Sequence, residues 1–239
     1  MPQPYTPVRQ WCTVHPCMET IAPDLMLIPS RPAYAFNAYL MGGVLVDAAT
    51  RHAAGRLRRA LDASPPHAHA LTHVHADHQG SSAALCAAYG IELWCPAGEA
   101  DLMEVGELAP PPPTNPIIRL QRRFWAGPAH PVARRLREGD EVGGFTVLET
   151  PGHSPAHNSF WRESDRTLVA GDVLFGRHPL TGRPGLHEPP AIFTADVARN
   201  RRSIRRVAEL EPAVVVFGHG PPWRDTAALT AFAAGLPTS

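Results

Sequence analysis

The sequence predicts a mixed α/β fold of the α+β kind, two β-rich halves separated by helices within one unit spanning residues 1–239. Three observations predict it. Short apolar runs joined by a Gly-Gly turn open the chain, as antiparallel strands do. A helix-period stripe then starts a strand–helix–strand rhythm of the kind parallel sheets use. After a stretch dense in proline and arginine, short apolar runs separated by polar turns return.

Taken in order, Asp24 to Ile28, Phe36 to Met41 and Val44 to Val46 read as strands, the last two joined at Gly42-Gly43, where a tight hairpin requires positive φ. From Thr50 to Ala63 the apolar positions Ala53, Ala54, Leu57, Ala60 and Leu61 fall on one helical face, with Asp47 or Thr50 as the expected cap. A strand ending in Leu71-Thr72-His73-Val74-His75, a turn, an Ala-rich helix from Ser81 to Tyr89 and a β run at Ile91 to Cys95 follow. Residues 106–140, with Pro110 to Pro113 and the segments RLQRRF and VARRLREGD, read as a surface excursion holding one or two short elements. Strands are expected at Phe145 to Glu149, Ser159 to Trp161 and Thr167 to Ala170, the last two separated by a polar turn at Glu163 to Arg166. A Pro/Gly-rich loop over 175–193 precedes a helix starting near Thr194 or Asp196, then a buried strand at Val214 to Phe217 and a terminal helix.

Charge excludes one broad class of function. The 22 basic and 22 acidic side chains cancel, and every basic one is an arginine, so a polyanion binder steered by global charge is not expected. The arginines of 119–137 read as a solvated face beside Glu138, Asp140 and Glu141 rather than a nucleic-acid patch. The first twenty residues lack the apolar core of a signal peptide, and no run approaches the ~18 apolar residues of a membrane span, so a cytoplasmic protein free of the membrane is expected. Cys12, Cys17, Cys86 and Cys95 make no disulfide framework, and a metal or redox site at Cys12, His15 and Cys17 lacks a second pair at zinc spacing.

The 13 histidines carry the functional signal through their placement. Four apolar runs, in ALTHVHADH, FTVLETPGH, TLVAGD and VVVFGH, end in His73, His75, Asp77, His78, His153, Asp172 and His219. The C-terminal ends of strands approaching in parallel face one crevice, which brings these seven ligand types together. Residues two apart on a strand share a face, so His73 and His75 can hold one ion, while Asp77 and His78, beyond the strand, turn toward a neighbouring position. Imidazole and carboxylate without thiolate suit Zn and tolerate Fe or Mn. Asp172 stands where a carboxylate bridges two ions.

On these motifs the chain resembles the metallo-β-lactamase-fold hydrolases, closest to their glyoxalase II-like branch. The resemblance runs from the strand ending at Asp47 through His73-x-His75-x-Asp77-His78, the TPGH at His153, the GD at Asp172 and the GHG at His219. It implies a four-layer αββα sandwich, a first metal on His73, His75 and His153, a second on Asp77, His78 and His219, with Asp172 between them. It also implies Asp47 as a support behind the ligands. Two positions depart from the family pattern: Ala48-Ala49 follow Asp47 where a glycine is usual, and Ala156 replaces a glycine near His157.

Two divalent ions outweigh the two carboxylates, leaving a positive site whose natural occupant is a bridging hydroxide, and metal binding brings the pKa of water to about 7. The expected reaction is hydrolysis of an ester, thioester or lactone, with Asp77 as the catalytic residue that both ligates and orients. The expected partner is a small-molecule substrate. Only 20 residues follow His219, short of the C-terminal helical region with which glyoxalase II enzymes bind glutathione. Class B β-lactamases and acyl-homoserine lactonases differ around the last histidine, and a lactonase-like hydrolase stands as a further alternative. A mononuclear iron oxygenase of the persulfide dioxygenase type, using His73, His153 and Asp172, is the rival from another class, and a scaffold without turnover the third. Substrate contacts are expected from Phe175, Arg177, His178, Arg183, His187 and Phe193 in the 175–193 loop. His157 is expected behind the ligands, and His67, His69 and His130 at the surface.

Overall fold

The computed structural model describes residues 18–109, 116–179 and 181–238. Cys12, His15, Cys17 and the run Pro110 to Pro113 lie outside the described residues. A seven-stranded sheet takes its strands in chain order: β1 (Glu19–Ala22), β2 (Leu25–Ile28), β3 (Ala38–Met41), β4 (Val44–Val46), β5 (Ala68–Ala70), β6 (Glu92–Pro96) and β7 (Arg134–Leu136). Pairs β1 to β4 are antiparallel, and β4 to β7 parallel. The β3–β4 turn is made by Gly42 and Gly43 at φ +54° and +79°, the mirror-image turn whose twist matches a hairpin. The parallel pairs need crossovers, supplied by α1 (Ala54–Leu61) and α3 (Ser82–Tyr89), with the one-turn helix α2 (Ala76–Gln79) between β5 and α3.

The second sheet has five strands, in the spatial order β14 (Val214–Val216), β11 (Thr167–Val169), β10 (Asn158–Arg162), β9 (Phe145–Glu149), β8 (Glu141–Val142). Because β10 runs against both β9 and β11, and β14 runs with β11, the chain leaves β9, β11 and β14 at the same edge. A separate hairpin, β12 (Phe175–Arg177) with β13 (Pro184–His187), lies beyond that edge in sequence. Helices α6 (Val197–Glu209) and α7 (Thr226–Gly235) complete this half, and the Asp196 side chain caps α6 by accepting the Arg199 N–H.

Strand alternation builds the layers. Leu25, Leu27, Tyr39, Met41, Val44 and Val46 of the first sheet meet Phe145, Val147, Phe160, Val169, Val214 and Val216 of the second in one buried cluster. The opposite faces carry Leu40 and Leu45 against Leu57, Leu61 and Leu85, and Leu148, Trp161, Leu168 and Val215 against Ile204, Val207 and Leu229. Helices therefore cover both outer faces of two packed sheets, the αββα sandwich. No helix among the described residues is long and apolar enough to cross a membrane.

Three expectations are corrected. Residues 106–140 are more than a surface excursion: β7 completes the first sheet, and α5 (Pro116–Trp125) brings Trp125 against Phe36, ring centroids 5.3 Å apart. Three arginines in that stretch are paired, Arg122 with Glu107, Arg134 with Asp140, and Arg135 with Asp101 and Glu104. Thr50 makes no capping bond at the 3₁₀ turn before α1, and Asp47 is engaged elsewhere. His69 is not at the surface: it is 0% exposed, its Nδ1 2.9 Å from the Leu45 carbonyl and its Nε2 2.8 Å from the Ser82 hydroxyl.

Candidate metal centre

The strand carrying the histidine cluster stops at Ala70, earlier than its apolar pattern implies. Beyond it, side-chain carboxylates take over the main-chain donors: the Thr72 N–H donates to Asp47 Oδ1 at 2.9 Å and the Val74 N–H to Glu99 Oε2 at 2.7 Å. His73 and His75 therefore sit on an extended loop, not on a strand face. Asp77 and His78 ride on α2, which the preceding turn grips: the Ala48 N–H donates to the His78 carbonyl, and the Gly80 N–H to the Ala49 carbonyl. That turn holds Asp47 and Ala49 at φ +57° and +51°. Ala49 thus occupies a left-handed conformation that the family's usual glycine adopts without steric cost, and such strain clusters at sites.

The loops after β5, β9, β11 and β14 bring seven donors together. Three groups have ligand atoms within 4.8 Å of one another: His73, His75 and His153; His73, His78 and Asp172; Asp77, His78 and His219. His75 Nδ1 lies 2.9 Å from His73 Nε2 and 3.1 Å from His153 Nε2. Asp172 Oδ2 lies 3.3 Å from His78 Nε2, 3.5 Å from His153 Nε2 and 3.1 Å from His219 Nε2, which is itself 3.4 Å from Asp77 Oδ2.

The outer ring nitrogens determine what the inner ones carry. His78 Nδ1 donates to Asp47 Oδ2 at 2.9 Å, and His219 Nδ1 to the Ala35 carbonyl. His73 Nδ1 faces Thr72 Oγ1 at 3.0 Å, a hydroxyl already donating to Asp47, and His153 Nδ1 faces Thr194 Oγ1 at 3.5 Å, a hydroxyl donating to Pro190. With these tautomers four Nε2 atoms direct lone pairs into the cluster, where a single neutral His75 has one proton on Nδ1 to offer His73 or His153, and the remaining lone pairs face carboxylates or one another until cations or further protons enter. Asp172 Oδ1, buried without a hydrogen-bond partner among the described residues, adds another unmet lone pair. The donor set fits two divalent ions.

Protons would otherwise fill that role, and the charges divide the cluster. Burial alone lowers His219, but the carboxylates of Asp172 and Asp77 outweigh it and push it up to about 10. His73 and His153 are pushed well down, chiefly by burial and further by neighbouring imidazoles. His157 does not offer a ligand atom: its Nε2 accepts the Asp172 backbone N–H at 2.9 Å, and its Nδ1 donates to Thr150 Oγ1 at 2.8 Å. Thr150 in turn donates to Ser159, whose hydroxyl donates to the Ala170 carbonyl. Gly218, before His219, stands so close to Asp172 that a Cβ there would collide with the carboxylate.

Above the donors lies a cavity of about 320 Å³ reached by His75, Asp77, His153, Asp172 and His219. Its walls are apolar, with Phe36, Trp125, Phe175 and Phe193 the aromatic ones and Arg177 the guanidinium. Of the loop residues expected at the substrate, Phe175, Arg177 and Phe193 line this cavity. His178 and His187 are not among its lining residues; they pack ring to ring at 5.1 Å on the β12–β13 hairpin, and Arg183 is likewise outside the lining. Phe36, Trp125 and Glu99 are the contributors that sequence reasoning missed. Phe36 falls at the start of an apolar run, and nothing in the sequence near Trp125 or Glu99 marks either residue as part of a site.

A family model described as the metallo-beta-lactamase superfamily matches residues 34–219. The probable metallo-hydrolase YflN of Bacillus subtilis is 30% identical over 64% of this chain and 63% of its own length. A hydroxyacylglutathione hydrolase of Bdellovibrio bacteriovorus is 26% identical over 62% of this chain and 46% of its own. The chain thus spans less than two thirds of the length of both relatives. Among solved structures, the metallo-beta-lactamase family protein TTHA1429 of Thermus thermophilus matches with TM-score 0.62 and 27% identity, covering 89% of this chain and 79% of that one.

Proposed function

The chain belongs to the metallo-beta-lactamase superfamily, and from that premise we propose that it is a metal-dependent hydrolase that cleaves a small ester, thioester or lactone in the manner of the glyoxalase II-like branch. The observation that carries this reading is the set of seven imidazole and carboxylate donors gathered within reach of one another, five of which (His75, Asp77, His153, Asp172 and His219) line the floor of an apolar cavity. His73, His75 and His153 would hold one divalent ion and Asp77, His78 and His219 a second, with Asp172 available to both groups. Zinc suits these donors best, with iron or manganese as substitutes. Such ions supply Lewis acidity toward a carbonyl oxygen and bring the pKa of water close to neutrality.

The chain's own residues do the rest. Phe36, Trp125, Phe175 and Phe193 take up the apolar part of an acyl substrate and keep bulk water from the donors, which strengthens every charge interaction there. Asp47, Thr72, Thr194 and the Ala35 carbonyl hold the imidazoles in one tautomer, so that none must reorient during turnover. Asp77, the catalytic residue of this reading, lines the cavity with Oδ2 3.4 Å from His219 Nε2. His157 sets the direction of Asp172 through its backbone N–H.

Metal analysis of protein purified without added metal, followed by a panel of thioesters, lactones and phosphoesters, tests the proposal. About two ions per chain and hydrolysis of an acyl substrate are expected, with the rate lost and the ion content lowered toward one per chain in Asp77→Ala and in His75→Ala. Unchanged metal content and rate in those variants would sink it. A single iron per chain with oxygen consumption would instead support the mononuclear oxygenase.

A further inference from the structure

Glu99 stands at the turn between β6 and α4 (Ala100–Val105), 0% exposed, and none of the chemistry above uses it. A buried carboxylate is tolerated only where donors meet its lone pairs. Here three do: the Val74 N–H on Oε2 at 2.7 Å, and the Ser154 hydroxyl at 2.5 Å with the Ala156 N–H at 2.9 Å on Oε1. Burial pushes its pKa up, and these three hydrogen bonds pull against that push.

The donors have a common address. Val74 sits between His73 and His75, and Ser154 follows His153, so all three members of the first ligand group hang from two loops that meet on one carboxylate. The second group is held otherwise. Asp77 and His78 ride on α2, His78 leans on Asp47, and His219 leans on Ala35. The same turn presses on the His153 loop a second time, because a Cβ at Gly98 would lie 2.7 Å from the Ala156 Cβ.

We propose that Glu99 is the positioning residue of the His73–His75–His153 site: a carboxyl clamp shared by two loops, which fixes the three imidazoles at ion-holding separation and sets the occupancy of that site without setting the other. The inference rests on the two-ion reading above. Removing a partner behind a ligand typically weakens metal affinity 10- to 100-fold, and here the weakening falls on one ion only.

Glu99→Gln keeps the shape and turns one acceptor into a donor facing donors. Wild type and variant, loaded with zinc and titrated against a chelating chromophore, each yield two dissociation constants. One is expected to weaken at least about tenfold while the other stays within about twofold, leaving one ion per chain after dialysis where wild type keeps two. The surviving constant should match that of His75→Ala, which identifies the lost site. Two unchanged constants, or two weakened alike as general destabilisation would make them, overturn the clamp. Ser154→Ala removes one donor and replaces Glu99→Gln if that variant fails to fold; a smaller loss at the same site is expected, and none overturns the proposal. A wild-type chain holding fewer than two ions overturns the two-ion reading and this one with it, whereas two ions in both chains overturns this one alone.

Discussion

His69 shows what burial does to a single imidazole in this fold. It lies on β5 between two neighbouring strands, and its ring reaches Ser82 on α3. The Leu45 carbonyl can only accept, so Nδ1 carries the proton and Nε2 accepts from Ser82. Burial pushes its pKa down to about 4 from an ordinary 6.5. Below pH 6.5 the unfolded chain takes up a proton that the folded chain refuses, so this stability is present at neutral pH and is lost as pH falls from 6.5 toward 4. At pH 5 the loss amounts to about 2 kcal/mol. Other buried imidazoles contribute as well, His73 and His153 in the same direction and His78 and His219 in the opposite one, so the share of His69 is the difference between wild type and His69→Gln. Urea midpoints of the metal-free chains at pH 7.5 and pH 5 measure it: the variant should lose less on acidification, and parallel losses in the two chains would contradict this reading.

At the scale of elements, legibility tracks how local the cause is. The Gly42-Gly43 hairpin, β9 at its observed limits and the α6 start at Asp196 were readable because a turn, an alternation or a cap decides each within a few residues. The end of β5 was not, because Asp47 and Glu99, far away in sequence, take the N–H groups of Thr72 and Val74 out of the sheet ladder. His69 was misplaced for a related reason: the neighbours that bury it are strands and a helix that its own flanking residues do not announce. The seven residues that the structure gathers into one cluster could be named from their place after apolar runs, whereas the loops' mutual support could not. Ala156 illustrates the gap. Where a glycine is usual this chain carries a methyl, and Gly98 is the residue that leaves room for it. Gly98→Ala should therefore overpack the contact and cost about 1–3 kcal/mol of unfolding free energy, and Ala156→Gly in the same chain should recover most of it. The entropy gained by replacing Gly98 is common to the single and double variants, so the coupling energy from denaturant curves isolates the steric contact. Additive effects would show that the two loops do not bear on each other.

Across the whole molecule, the ligands come from both sheets: His73, His75, Asp77 and His78 follow β5 of the first, and His153, Asp172 and His219 follow β9, β11 and β14 of the second. Ions held there would tie together two halves that otherwise meet through the apolar layer of Tyr39, Met41, Phe145, Phe160 and their neighbours. That layer does not depend on the site, and the donors lie at one edge of it. Chelation should accordingly loosen the sandwich without dissolving it. An ion bound only by the folded chain adds about 2.7 kcal/mol at a hundredfold excess over its dissociation constant, so two such ions add about 5 kcal/mol. The metal-free chain is expected to keep its far-UV circular dichroism and one cooperative transition, with a lower urea midpoint and an unchanged slope. Hydrogen exchange should rise first at residues 72–78 and 153–157, where side chains rather than neighbouring strands hold the backbone. A chelated chain that unfolds outright would show that the apolar layer alone is insufficient, and an unmoved midpoint would show that the cluster adds nothing to the join between the sheets.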